Sequence, residues 1–431
     1  MQGREAPEIR PDDRRSDDLG VPGRIAGISH PDHQGIVRGL TEFVEYPGGV
    51  FKDMTWEPPG ETFGFPEDGA FKFLTKDFSE SVRERWRFLD RLLRGAEAAY
   101  DWTKAQRPDA VLVWNDAYPE TRGVILAARE LGIPSIEIIH GHSHPIRPGD
   151  TLAKDWADWK LGTAGYADWH SFHGLKSKVL RTGSPSHDFY AGANLPALRP
   201  TARHELQIDE TATIITYLCD ATYARSAWSS EATTSGTTLE FLKAVKVLRD
   251  VIPDLHLIVK MHPGEVGKIP LKAYEKVLAE IGITDNYTIM NSELFLALGA
   301  SDLVIGVQTS AFADALMLEI PCVVLGFEPW FAEWVYQRKG CRVVRRPAEI
   351  LQSLTEILLG RDDMNELLDD VTDGAWYFAG AVDGRATDRT LRAISKILRK
   401  EDPNDCQYGE VANRDDHPGP GDVPSATREA L

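Results

Sequence analysis

Residues 301–325 read SDLVIGVQTSAFADALMLEIPCVVL. The uninterrupted apolar run LVIGV at 303–307 predicts a short buried strand, 310–318 a helix, and PCVVL at 321–325 a second strand. Strand, helix and strand joined by so few residues form the βαβ unit of a parallel sheet. The same grammar extends upstream. TIITYL at 213–218, LHLIVKM at 255–261 and 287–290 predict strands, with helices over 238–251, 271–281 and 294–298. Such alternation implies a doubly wound sheet, which binds ligands beyond the carboxyl ends of its strands.

The first half repeats the pattern less legibly. AVLVW at 110–114 predicts a strand, 121–131 a helix closed by Gly132, and PSIEII at 134–139 another strand. Val82, Trp86, Leu89, Leu92 and Leu93 recur at helical spacing within a long amphipathic helix over 78–106. A further apolar edge at Val179 and Leu180 leads to Gly183-Ser184-Pro185, and the Gly/Pro/Ala-rich stretch 191–200 marks a domain boundary. Ahead of Lys76, Gly, Pro and His interrupt every apolar run, so no strand is predicted before His33.

A chain of 431 residues suits two domains with tails. The expected division is a disordered segment 1–20, a first Rossmann-like domain 21–190, a second over 191–400, and a disordered acidic tail 401–431, which carries eight Asp/Glu against two Arg. The formal net charge of −18 argues against a nucleic-acid partner, since phosphate neutralisation needs a basic face. Cys219, Cys322, Cys341 and Cys406 show no C-x-x-C pairing, and Cys219 and Cys322 read as buried apolar residues of a reducing compartment. The polar N-terminus and the lack of a run of about 20 apolar residues give a cytoplasmic expectation, with peripheral membrane association left open.

Chemistry should then follow the strands of the sheets. His262-Pro263 follows the strand 255–261, and Thr309-Ser310 follows the strand 303–307 and opens a helix, whose free N–H groups suit a phosphate. Asp314 lies four residues after Ser310, on the same helical face, where a carboxylate can accept from ribose hydroxyls. Each has an ordinary structural alternative: a Thr-Ser pair is a common N-cap, and a His before Pro a common turn residue. Their convergence on the strand ends of one sheet favours a ligand site. In the first half, His140 follows the strand 134–139 and has the side chain best suited to a general base near neutral pH. Asn115 and Asp116 follow the strand 110–114 and face the cleft by the same rule, with an N-cap as the alternative for Asp116. His33, in His30-Pro-Asp-His33-Gln-Gly, precedes a helix-like stretch and is a further candidate. Although His140, His142 and His144 alternate, no Cys or close carboxylate completes a tetrahedral set, so no metal site is assigned.

KMHP at 260–263 together with SDLVIGVQTS at 301–310 resembles the C-terminal half of GT-B transferases that build bacterial surface polymers. These include capsule polysaccharide transferases and CDP-glycerol glycerophosphotransferases, with UDP-N-acetylglucosamine 2-epimerases as more distant kin. The resemblance covers about 110–359, with Ile138-Ile139-His140-Gly141 and Thr182-Gly183-Ser184-Pro185 as weaker matches. It implies two Rossmann-like domains facing across a cleft, donor contacts from His262, Pro263, Thr309 and Ser310, and a ribose-side role for Asp314, where Glu is more usual. The implied function is metal-independent transfer of a sugar from a nucleotide-activated donor to a glycan or other hydroxyl acceptor, with His140 as base and no cofactor beyond the nucleotide sugar. The alternatives are a nucleotide-sugar 2-epimerase and a non-catalytic nucleotide- or glycan-binding protein.

Overall fold

The structure is a computed structural model that describes residues 20–29, 34–47, 80–116, 118–139, 155–172, 174–219, 236–263, 266, 270–291, 293–307, 309–327 and 340–409. Its first half runs β1 (Val21–Ile28), α1 (Gln34–Arg38), β2 (Leu40–Glu45), α2 (Glu80–Gln106), β3 (Ala110–Val113), α3 (Pro119–Leu131), β4 (Ser135–Ile138), β5 (Trp159–Gly162), α4 (Ala164–Phe172) and β6 (Lys178–Arg181). After the 3-10 turn Pro185–Gly192 and α5 (Leu195–Glu205) come β7 (Ile214–Leu218), α6 (Gly236–Leu248), β8 (His256–Lys260), α7 (Leu271–Ile281), β9 (Tyr287–Met290) and α8 (Leu294–Ala300). The chain continues through β10 (Leu303–Gly306), α9 (Ala311–Met317), β11 (Cys322–Leu325), β12 (Cys341–Val344), α10 (Ile350–Leu359), α11 (Arg361–Phe378) and α12 (Ala386–Leu398).

The strands form two six-stranded sheets, β2-β1-β3-β4-β5-β6 and β12-β11-β10-β7-β8-β9, with parallel pairing throughout. Counted within its own half, the first has the order 2-1-3-4-5-6 and the second 3-2-1-4-5-6, both doubly wound arrangements of the kind expected from the alternation of elements. The order reverses between β1 and β3 in the first sheet and between β7 and β10 in the second. Both faces of each sheet are covered, which is why the strands read as continuous apolar runs. Val111 and Val113 pack with Val124 and Ala128 of α3 on one face, while Leu112 packs with Leu391 and Ile394 of α12 on the other.

Four strands, β1, β2, β5 and β12, escape the sequence pattern. In β1, Pro22 and Gly23 break the apolar run, Gly23 has φ +102°, and the register with β2 shifts between Val21 and Arg24. A strand therefore does precede His33. β2 is an edge strand with Thr41, Glu42 and Glu45 exposed, and β5 contains Lys160, a residue depleted from buried strands.

The C-terminal region crosses back to the first sheet. Although the sequence places 386–398 in the second half, Leu391, Ile394 and Ile397 of α12 bury against Ile25, Leu112 and Ile136. Residues 401–409, assigned to the acidic tail, are an ordered strap along the edge of β6. Arg181 donates its N–H to Gln407 Oε1 at 3.0 Å, and Tyr408 returns its own N–H to the Arg181 carbonyl at 2.9 Å. Cys406 and Tyr408 are buried, and the strap gives β6 backbone partners it would otherwise lack at its edge. Among the described residues no helix is long and apolar enough to cross a membrane.

Two glycines fix the tightest backbone approaches. A Cβ at Gly27 of β1 would lie 1.8 Å from the Leu112 carbonyl oxygen, beside the point where the first sheet reverses, and one at Gly123 of α3 would lie 2.0 Å from the Ala96 carbonyl oxygen of α2. The obstacle is backbone in both cases. Gly27→Ala and Gly123→Ala are each expected to cost about 1–3 kcal/mol or more, whereas Gly192→Ala, which meets nothing within 4 Å, should be close to neutral. Thermal melts of the three variants check this, and a wild-type midpoint for Gly27→Ala would refute it.

Candidate functional site

The register across the second sheet sets Gly306 of β10, Leu218 of β7 and Lys260 of β8 level with one another. The segments that follow β8 and β10 therefore emerge from the same edge, separated by the width of β7, about 10 Å between outer strands. Half-buried His262 and exposed Pro263 stand on one side, and half-buried Thr309 and Ser310 on the other. β10 borders β7 where the strand order reverses, and this switch point is where doubly wound sheets leave a crevice for a ligand. Four of the residues read from the sequence thus share one edge of one sheet.

Local chemistry gives each a defined setting. Thr309 Oγ1 accepts from the Ala311 N–H at 3.2 Å, so it caps α9, while Ser310 makes no side-chain cap bond. Gly306 is hemmed in by the Phe312 ring and the Leu218 carbonyl, with a Cβ placed 3.2 and 3.3 Å from them. Lys260, quoted from the sequence only as part of KMHP, is buried at the end of β8. Its ammonium donates to the Met261 carbonyl at 2.8 Å, and the sequence signal was a lysine ending an otherwise apolar strand. Asp314, with its side chain 18% exposed, accepts from the Tyr190 hydroxyl at 2.8 Å and lies 3.7 Å from His187 Nε2.

In the first sheet the reading changes. Asp116 is fully buried, not cleft-facing. One of its oxygens accepts from the Trp156 N–H at 2.8 Å, the Ala157 N–H at 3.2 Å and the Lys160 ammonium at 2.6 Å. Lys160 is fully buried too and also pairs with Glu137, its register partner on β4. A carboxylate at a dry strand end needs such a partner, and Lys160 supplies it from β5. Burial opposes the charge on Lys160, but Glu137, Tyr166 and Asp116 outweigh it and hold its pKa above the ordinary lysine value. Burial likewise raises the Tyr166 hydroxyl, with Glu137 adding to the effect. Asn115 is half-buried beside this cluster. His33 and His140 lie outside the described residues.

No protein-family model matches the chain, and no curated protein matches it. Solved structures do share its fold. MnaA from S. aureus in a co-structure with UDP superposes with a TM-score of 0.59 at 15% identity, over 90% of this chain and 100% of that one. UDP-GlcNAc 2-epimerase from Neisseria meningitidis bound to UDP-GlcNAc gives 0.55 at 13% identity, over 86% and 99%. A glycosyltransferase from Rickettsia africae gives 0.52 at 11% identity, over 88% and 98%. The chain has the two-domain GT-B fold.

Proposed function

We propose that this chain is a glycosyltransferase that takes a sugar from a nucleotide diphosphate donor, with UDP the first nucleotide to test, and passes it to an acceptor hydroxyl. The observation that carries this reading is the arrival of His262-Pro263 and Thr309-Ser310 at the switch point of the second sheet, in a fold whose solved examples include one protein holding UDP and one holding UDP-GlcNAc. Thr309, Ser310 and His262 would donate to the departing diphosphate, where preorganised donors are worth most as charge develops. His140 would take the acceptor proton. A thermal-shift panel of UDP, CMP, CDP, GDP and TDP tests the donor, because stabilisation grows with ligand concentration over Kd. No shift with any of them would sink the reading.

His262→Ala is expected to raise the Kd of the bound nucleotide roughly tenfold to a hundredfold, the worth of about 1.5–3 kcal/mol for a hydrogen bond to a charged group. Calorimetric titration checks it. An unchanged Kd with a lower melting temperature would make His262 a turn residue only.

The second reading is a nucleotide-sugar 2-epimerase, since solved structures that share the fold include the Neisseria epimerase as well as the Rickettsia glycosyltransferase. Against it stands, among the described residues, the commitment of the two buried carboxylates Asp116 and Glu137 to Lys160, since epimerisation needs carboxylates poised at the sugar C2. UDP-GlcNAc supplied without an acceptor separates the two readings. An epimerase inverts C2 of the sugar, and a transferase does not.

A further inference from the structure

The turn Pro185–Gly192 joins the two sheets and bonds to both halves within four residues. Asp188 accepts at 2.8 Å from the N–H groups of both Ala386 and Thr387, which open α12 on the first sheet. Two residues later Tyr190, only 3% exposed, donates its hydroxyl to Asp314 of α9 at 2.8 Å. The Tyr190 ring is held in place by Phe189 and by Phe295 of α8, with centroids at 4.0 and 5.8 Å, and it shares a core with Phe312 and Ala313. Because the ring is locked by packing, its hydroxyl reaches Asp314 from a fixed point. Burial and the neighbouring carboxylate both push the Tyr190 hydroxyl well above its ordinary pKa, so it stays protonated and remains a donor.

A short carboxylate side chain rotates readily unless one oxygen is held, and a held oxygen fixes where the other points. Asp314 follows Ser310 by one helical turn and so lies on the same face of α9 as the residue that opens the helix after β10. We infer that Tyr190 is a positioning residue of the donor half-site: through Asp314 it fixes the carboxylate that receives the ribose of a bound nucleotide, and it makes ribose recognition depend on the turn that joins the sheets. This inference rests on the donor reading above.

Calorimetric titration of the full chain with UDP and, separately, with inorganic diphosphate provides the test. It compares wild type, Tyr190→Phe, Asp314→Asn and the double variant. Tyr190→Phe keeps the ring and its packing, so it should fold, and its melting temperature is measured alongside. The expected result is a UDP Kd raised about two- to tenfold by Tyr190→Phe, the range of one net hydrogen bond. Diphosphate binding should be unchanged, and the double variant should be no weaker than Asp314→Asn alone. UDP affinity unaltered in Tyr190→Phe would overturn the inference, as would an equal weakening of UDP and diphosphate, which is the mark of a general structural role. A wild-type chain that binds neither ligand would overturn the donor reading itself and the inference with it.

Discussion

Replacing Lys160 with methionine should cost about 3–5 kcal/mol of folding stability, the penalty for leaving buried charge uncompensated. The cluster is unequal: one ammonium faces the carboxylates of Asp116 and Glu137, and neither Lys160 nor Asp116 has measurable exposure. Losing the lysine leaves two carboxylates together in a dry site. Losing a carboxylate leaves a balanced pair, so Asp116→Asn, whose amide oxygen can still accept from Trp156 and Ala157, should cost only about 1–2 kcal/mol. Neutralising the whole set with Lys160→Met, Glu137→Gln and Asp116→Asn should recover much of the loss, because buried ion pairs replaced by uncharged groups are often close to neutral.

The pH dependence follows from the direction of the lysine shift. Its folded pKa lies above the unfolded value of about 10.4, so the stability it contributes is complete below that pH and declines as pH rises through the folded pKa. Urea titrations at pH 8 and pH 11 check both points. A wild-type urea midpoint for Lys160→Met would show that the cluster does not hold the sheet together.

What the sequence made legible depends on how each strand is buried. TIITYL and LHLIVKM are covered on both faces, so they appear as unbroken apolar runs and predict themselves. β1 carries a bulge at Pro22-Gly23, β2 is a half-exposed edge, and β5 holds a lysine whose partners lie 23 and 44 residues away. No local pattern announces such a strand. The site behaved likewise. Strand-end position named His262, Thr309 and Ser310 as candidates, but which strand ends are neighbours depends on sheet order. The same rule misplaced Asp116 because its partner is distant in sequence. Nor could spacing reveal that Asp314, chosen for a ligand, also bonds to Tyr190 124 residues earlier.

The burial of Asp116 narrows the search for the base and sets the largest kinetic effect to be expected. A general base must reach the acceptor hydroxyl, directly or through one water. Asp116 is enclosed and engaged by Lys160 and two backbone N–H groups, which leaves His140, named by its strand-end position, and His33, the other histidine named from the sequence, as the candidates. His140 comes two residues after the end of β4, and the intervening Ile139 is buried, as expected where a chain leaves a sheet. With a sugar donor of the nucleotide selected by the thermal-shift panel at saturation, His140→Ala should lower kcat by about 10²–10⁴-fold. Donor Kd should stay within about threefold, because the proton is taken from the acceptor only in the transition state. Asp116→Asn, corrected for any unfolded fraction, should retain most of the wild-type rate. If His140→Ala keeps more than about a third of wild-type kcat, far short of the contribution of a general base, the role passes to His33, and His33→Ala measured under the same conditions should then show the loss.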